Sequence, residues 1–315
     1  MMVLNSEFTE FEKFNAFAAE WDIDFRQVSS GLLNSSLVQI VTNNHSISRA
    51  RFDQLTYQQG ATVPGMRTFA FLDIFAPDVD WCGFTFSPDS VAIFARDRDF
   101  RCVSPPGFFV YTLSFTEEEL AAASHRLGFP NICARLNTHA EIRTIDRRSI
   151  QGLCKRVNET ISSVVTPGTS VFSKDKPRDF PSGQIAEQLV SALTAAESVS
   201  GYPSPNKLTA ATNRTLQYIE AHLADRPTIQ DILEVAGVSR RTLEYAFRRQ
   251  LDMSPKSFIN QQRMTLVRRD LRKVSAEKPI ADIANYWGYW HMGQFARDYQ
   301  RQFGELPSDT VRCHR

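Results

Sequence analysis

Cysteine is scarce in this 315-residue chain. Cys82, Cys102, Cys133, Cys154 and Cys313 are scattered, and no C-x-x-C pair exists. That excludes a disulfide scaffold, and the odd count fits a reducing cytosol. No apolar run reaches the length that crosses a bilayer, so no membrane partner is expected. The first dozen residues are acidic and carry no basic start before an apolar stretch, so no secretory signal and a cytoplasmic location are expected. No Gly-rich phosphate loop and no Gly-x-Ser-x-Gly occur. His139-Ala-Glu141 has the order of a zinc deaminase motif, but no Pro-Cys-x-x-Cys follows it. His45 is the only histidine between Ser36 and Phe115, too few for an inward-facing metal site there. No metal, cofactor or catalytic set is therefore expected, and the cysteines read as core thiols.

What is present is an ordinary globular composition, 42% apolar and 23% charged, at a length of about two domains. The net charge of +1 hides an asymmetry. Leu208–Arg315 holds 17 Lys and Arg against 12 Asp and Glu, whereas Met1–Lys207 holds 19 against 23. A basic third joined to an acidic two-thirds suggests that the C-terminal part meets a polyanion.

Short runs rich in Val, Ile, Phe and Thr predict strands at Ser36–Thr42, Arg67–Phe75, Trp81–Phe86, Val91–Ala95 and Phe108–Phe115. Turn residues such as Val63-Pro64-Gly65 lie between them. Many short strands at regular spacing predict a barrel or sandwich. The periodicity then becomes helical. Thr116–Leu127 opens with a Thr116…Glu119 capping box, and Ser149–Val165 and Gln184–Ala196 are amphipathic. Two such helices need a partner surface, which is the argument for a homodimer. Ser198–Asn206, rich in Ser, Gly and Pro, reads as a linker.

The tail contains a repeat. Ile229-x-Asp231-Ile232-x4-Gly237 recurs as Ile280-x-Asp282-Ile283-x4-Gly288, the glycines 51 residues apart. Phe247, Leu251 and Pro255 then match Tyr299, Phe303 and Pro307, with one extra residue after the second glycine. Each copy reads as helix, tight turn, helix, with glycine where the chain leaves the first helix. Thr228 and Ser239 are the expected N-caps in copy one. In its second helix, Leu243, Ala246 and Phe247 share one face, while Arg240, Arg241, Glu244, Tyr245 and Arg248 share another. Arginine forks to guanine and a carboxylate accepts from cytosine N4, so that face suits a major groove. It is also what a solvated charged face looks like; the repeat and the charge asymmetry favour double-stranded DNA. Between the copies, Pro255–Lys273 predicts a helix of about 28 Å, long enough to hold two such helices about one duplex turn apart. Arg263, Arg268, Arg269 and Arg272 on it could touch phosphates.

The motifs Ala236-Gly-Val-Ser-Arg-Arg-Thr-Leu-Glu-Tyr-Ala-Phe247, Met253-Ser-Pro255, Ile280-Ala-Asp-Ile-Ala284, Gly288-Tyr289, Phe295-Ala-Arg-Asp-Tyr299 and Phe303-Gly-Glu-Leu-Pro-Ser308 give Asn213–Arg312 a resemblance to the DNA-binding domain of the AraC/XylS family. The resemblance implies an α+β protein with an all-α module of seven helices bearing two helix-turn-helix units. It also implies an N-terminal effector or dimerisation domain, often a small β-barrel of cupin-like form. The implied organisation is 1–197 as sensor and dimerisation domain (barrel about 30–116, helices about 117–197), 198–207 as linker and 208–315 as DNA-binding domain. Activation through RNA polymerase is the family's commoner mode. By matched positions the base readers are Arg240, Arg241, Glu244 and Tyr245 in copy one and Met292, Gly293, Ala296 and Arg297 in copy two. Arg248 and Arg301 add charge to the two helices. Copy two departs from the pattern, with Trp290-His291 after Gly288-Tyr289 and Pro279 at the cap. Only Arg297 is an obvious donor there, so copy one is expected to give most direct readout. In the strand region, Arg49 with Arg51 and Arg96 with Arg98 each share a side; either pair would suit an anionic effector if it faced a cavity. The competing expectation is an enzyme or ligand carrier built on the β domain, with the tail as a DNA-targeting adaptor.

Overall fold

The computed structural model describes residues 2–9, 14, 23–82, 84–96, 100–136, 139–165, 171–173, 182–198, 207–273 and 279–313. The chain divides into two compact units. Unit 1 is Met1–Phe25, Leu33–Asp53 and Gln58–Tyr202; unit 2 is Arg26–Leu32, Gln54–Tyr57 and Pro203–Arg315. The expected linker lies, apart from Ser198 and Lys207, outside the described residues.

The strands are β1 (Met2–Phe8), β2 (Ile23–Gln27), β3 (Ser35–Val41), β4 (His45–Phe52), β5 (Thr56–Gly60), β6 (Arg67–Leu72), β7 (Val79–Trp81), β8 (Phe84–Phe86), β9 (Ser90–Ile93), β10 (Phe100–Ser104) and β11 (Phe108–Phe115). Helix α1 (Glu117–Arg126) follows, then β12 (Glu141–Thr144), α2 (Arg147–Val164), β13 (Val171–Ser173), α3 (Ser182–Ala195) and β14 (Glu197–Ser198). One sheet has the order β13-β1-β3-β4-β11-β6-β9-β12-β14 and the other β2-β5-β10-β7-β8. Neither closes on itself. The expected barrel is thus corrected to an open nine-stranded sheet whose edges end in the short strands β13 and β14.

Both faces of the central strands are covered, and period-two alternation sorts their residues. Leu37, Ala50, Leu72 and Val110 turn toward Trp81, Phe86 and Phe100 of the smaller sheet. Their neighbours Val38, Ile47, Phe71 and Leu113 turn toward Leu153, Val157 and Leu189 of the helices. This is why β6, Arg-Thr-Phe-Ala-Phe-Leu, is buried at every position. A one-residue slip would exchange the two sets, so both cores fix the register. It also answers the dimer argument. The stripe Ile150, Leu153, Val157 and Ile161 of α2, with Ile185, Leu189 and Leu193 of α3, is covered by the chain's own sheet.

Two local expectations are corrected. Trp81–Phe86 is not one strand but a hairpin, β7 pairing with β8, and Cys82 takes a left-handed φ of 52° in its turn. Thr116 caps α1 by accepting from the Glu119 N–H. The Glu119 carboxylate, however, lies 3.5 Å from His45 Nδ1, so the reciprocal half of the box is not what holds it. Burial pushes the thiols of Cys82 up to about 11 and of Cys154 up to about 12, so both stay protonated at neutral pH, as core thiols do. Glu141 of the His139-Ala-Glu141 stretch is tied to Arg143 at 2.8 Å.

Beyond residue 206, unit 2 has seven helices among the described residues: α4 (Lys207–His222), α5 (Ile229–Ala236), α6 (Arg240–Leu251), α7 (Pro255–Lys273), α8 (Ile280–Tyr286), α9 (Met292–Phe303) and α10 (Pro307–Cys313). Helix α7 braces both repeats. Near its start Phe258 meets Phe247 edge to face, centroids 6.0 Å apart. Farther along, Met264, Val267 and Leu271 pack with Ile283, Trp287, Phe295 and Tyr299.

Candidate nucleic-acid interface

Copy one is α5, a turn at Gly237 and α6. Thr228 accepts from the Asp231 N–H while the Asp231 carboxylate accepts from the Thr228 N–H, a complete capping box. Those hydrogen bonds hold the Asp231 carboxyl below its ordinary range. Gly237 has φ 64°, the left-handed geometry that ends a helix and that a side chain resists. Ser239 then caps α6 by accepting from Thr242 N–H. Leu243, Ala246, Phe247 and Leu251 are buried. Arg240, Arg241, Tyr245 and Arg248 are exposed, and Glu244 is half-buried. Tyr245 keeps 56% of its surface accessible, high for a tyrosine with no exposed role. Arg240 Nε donates to Glu244 Oε1 at 3.0 Å one helical turn away.

Copy two is α8, a turn at Gly288 (φ 91°) and α9. Neither Pro279 nor His291 makes a side-chain cap bond. The turn is instead pinned to α7: Trp287 Nε1 donates to Asp270 at 2.8 Å and the Tyr289 hydroxyl to the Asn260 carbonyl at 2.8 Å. Phe295, Tyr299 and Phe303 fill the core side of α9. Its accessible side carries Gln294, Arg297 and Arg301, with Met292, Ala296 and Asp298 half-buried. Arg297 donates to Gln294 Oε1 at 3.2 Å, Gln294 to Asp298 at 2.9 Å, and Arg301 to Asp298 at 3.0 Å. The sequence reading of this face missed Gln294, whose amide offers both a donor and an acceptor. The signal was its i, i+3 spacing to Arg297.

Two further arginines were missed because they act across large sequence separations. Arg214 donates to the carbonyls of Val235 and Ala236, the otherwise open end of α5. Arg226, in the left-handed region at φ 59°, donates to the carbonyls of Asn285 and Tyr286 and lies over the Trp290 ring at 5.6 Å. Each first helix of a pair is thus closed by a guanidinium from outside its own copy.

Of the α7 arginines, Arg269 is exposed and Arg263 and Arg272 are half-buried. Arg268 is corrected as a phosphate contact. It is buried, bonded to Glu305 at 3.0 and 3.2 Å and stacked 4.6 Å over Phe303. Glu305 also accepts from Thr310, which meets the Tyr299 hydroxyl at 2.7 Å. Burial pushes the Tyr299 phenol up. This chain of bonds builds the underside of copy two.

In unit 1, the arginines named for an anionic effector lie elsewhere than between the sheets. Odd positions of β4 face the helices, and Arg49 donates to Asn158 of α2 at 2.6 Å. Asn158 in turn donates to the Tyr111 hydroxyl at 2.9 Å, and burial pushes that phenol up to about 12. Arg51 is exposed. Arg96 is exposed and pairs with Glu117 at 3.1 Å, and Arg98 lies outside the described residues.

A helix-turn-helix domain model matches residues 232–312. XylDLEGF operon transcriptional activator 1 of Pseudomonas putida is 29% identical over 184 residues, 57% of this chain and 56% of that protein. The chain therefore spans little more than half the length of that relative. XylDLEGF operon transcriptional activator 2 of the same organism is 30% identical over 132 residues, 42% of this chain and 82% of that protein. Among solved structures, the AraC-like transcriptional activator CuxR is similar at 12% identity and TM-score 0.43, over 84% of this chain and 94% of that one.

Proposed function

The chain belongs to the AraC/XylS family of transcription regulators, and from that premise we propose that it binds a two-part, non-palindromic site on duplex DNA to activate transcription. Its output is set by a small-molecule effector or partner held in the N-terminal part. The observation that carries the reading is the duplicated helix pair with two differently equipped faces: Arg240, Arg241, Glu244, Tyr245 and Arg248 on α6, and Gln294, Arg297 and Arg301 with Met292 on α9. In this reading α6 takes the larger share of base contacts. Arg241 and Arg248 fork to guanine edges, and the Arg240–Glu244 pair opens so that the carboxylate can accept from cytosine. Helix α9, led by Met292 and Gly293, meets thymine methyls and groove shape, with Gln294 and Arg297 as its hydrogen-bonding members. Arg269 and Arg301 meet phosphates.

A homodimer and contact with RNA polymerase belong to the same proposal on the strength of family membership. So does the division into a sensor at 1–197, a linker at 198–207 and a DNA-binding domain at 208–315. The effector acts by population shift, favouring the arrangement in which both helix pairs can sit on the promoter. No observation among the described residues favours the enzyme or carrier alternative.

The test is selection of binding sites from a random duplex pool with the full chain. The expected product has two conserved blocks centred about one helical turn apart. Arg240→Ala should flatten base preference within one block only. No enriched sequence, or a single palindromic block indifferent to Arg240, would overturn the reading.

A further inference from the structure

Arg263 of α7 is half-buried, and its Nε is closed off from solvent with nothing to donate to among the described residues. The groups that act on its charge are the Tyr289 phenol and the Arg226 guanidinium, and no carboxylate is among them. Burial lowers its pKa, and Arg226 adds to the lowering. Asp298, which acts on Tyr289 from α9, is already bonded to Gln294 and Arg301. Arg226 itself is held on three sides. Its Nη2 donates to the carbonyls of Asn285 and Tyr286, its guanidinium lies over Trp290, and a Cβ added at Gly288 would sit 3.8 Å from its Nε. Both bonds use Nη2, so Nη1 and Nε keep their hydrogens for an acceptor from outside the described residues.

Two guanidiniums that repel each other, one of them partly desolvated, are costly to hold together unless an anion meets them. Their place in the module says which anion. Arg226 stands two residues before Thr228, the cap of α5, and its bonds reach the end of α8. Trp290 stands two residues before Met292, the first residue of α9. The pair thus marks the seam where the start of copy one meets the turn of copy two. With α6 and α9 in successive major grooves, the sugar-phosphate strand between those grooves crosses that seam. A backbone phosphate offers two free oxygens in the geometry that a guanidinium fork fits.

Resting on the reading of the chain as a binder of duplex DNA, we propose that Arg226 and Arg263 form a clamp for one backbone phosphate in the spacer between the two base-reading blocks, with Trp290 holding Arg226 in place. The clamp fixes the register of both copies on the duplex without reading a base. Arg263 has no tethered anion, unlike Arg240 and Arg301, so it contributes its full share of counterion release.

The affinity of the full chain is measured on a duplex carrying both blocks, across a salt series, and again with each spacer phosphate replaced in turn by a neutral methylphosphonate. The unsubstituted protein is expected to lose roughly tenfold at one or two adjacent spacer positions, the worth of one charge-assisted contact. Arg263→Gln should lose roughly tenfold on the unmodified duplex, evenly over all base changes in the blocks, and lower the salt slope by about 0.9. It should also no longer sense the substituted phosphates. A structural role, felt equally at every phosphate, would not give that selective loss. Arg263→Lys keeps the charge and should keep most of the slope. An unchanged slope in Arg263→Gln, or the same methylphosphonate pattern with and without the substitution, would overturn the proposal. If inorganic phosphate raises the Tm of the protein but not of Arg263→Gln while every methylphosphonate is tolerated, the pair holds a free anion and the backbone assignment falls. If transcription drops in Arg263→Gln with duplex affinity intact, the surface meets an acidic protein, and the clamp falls too. Failure to bind any duplex takes down the DNA reading and this site with it; tight duplex binding that ignores every spacer phosphate takes down the site alone.

Discussion

The two helix-turn-helix copies share a scaffold and differ in almost everything the scaffold displays. Copy one opens its first helix with Thr228 and Asp231 and its second with Ser239; copy two has Pro279 and His291 at those places and makes no side-chain cap. Copy two is held instead by bonds from Trp287 and Tyr289 into α7 and by the Arg268–Glu305–Thr310–Tyr299 chain. The polar groups of α6 begin in its first turn at Arg240 and Arg241, whereas those of α9 begin at Gln294, behind Met292 and Gly293. One copy caps the starts of both its helices with its own side chains and is charged at its leading edge. The other borrows its stability from neighbours and leads with small or apolar groups. Duplication preserved the core and released the surface.

The comparison breaks most visibly if the cores are unequal. Phe247→Ala in copy one and Phe295→Ala in copy two should each cost about 3–5 kcal/mol, since both rings are fully packed. Chemical unfolding of the full chain reads both, and a difference of more than a third would show that one copy carries the module. Next in size is the surface. On a panel of single-base operator changes, Arg240→Ala should cost about 1–3 kcal/mol at its own base positions and relax specificity there. Arg297→Ala and Gln294→Ala should each cost less and more evenly. Broader relaxation by Arg297→Ala would reverse the roles given to the copies. The comparison sharpens if Met292→Arg with Gly293→Arg gives α9 a new base preference; a Cβ at Gly293 meets nothing within 4 Å.

A smaller effect tests the borrowed caps. Arg226→Ala frees two carbonyls and removes the guanidinium that lies over Trp290, and should lower stability by about 1 kcal/mol, with faster amide exchange confined to α8. Arg214→Ala should do the same to α5. Equal loosening of both helices by either variant would sink this division of labour. The smallest effect is acid dependence of copy one alone. The Asp231 carboxyl is held low by its bonds to Thr228, so the unfolded chain binds its proton first. Its contribution is present above the ordinary carboxylate range and is lost as pH falls through the lowered value. Asp231→Asn should flatten that stretch of the stability curve, and an unchanged curve would show that the box is decorative.

Much of unit 2 was legible because two levels of pattern agreed: the 51-residue echo of Ile-x-Asp-Ile-x4-Gly and the caps Thr228 and Ser239. Unit 1 was legible as a series of strands followed by three helices, but not in how its strands share two sheets. Its alternation is masked where both faces are buried, as in Arg67–Leu72, so nothing in one strand tells a barrel from a layered sheet. The hairpin inside Trp81–Phe86 escaped because Cys82, a residue that seldom takes a left-handed φ, begins its turn, and the Gly83 beside it was read as part of one strand. The alignment of Gln39, Ser48 and Thr112 across β3, β4 and β11 exists only once three separated strands are in register. Arg214 and Arg226 likewise have meaning only at distances that no local window spans. Arg268 misled, since a helix-surface spacing gives no warning that Glu305 and Phe303 enclose it.

The carboxylates and amide interleaved with the arginines of α6 and α9 have a consequence for ionic strength. Arg240 and Arg301 already carry an internal counter-charge in Glu244 and Asp298, and Arg297 leans on Gln294. A phosphate that captures such an arginine first displaces a tethered anion, so less free-ion rearrangement accompanies docking than the arginine number implies. The plot of log affinity against log salt should therefore be shallower than about 0.9 per basic contact, and Glu244→Gln should steepen it. The protein would then hold its site across a wide range of salt while still letting go of sequences that do not fit.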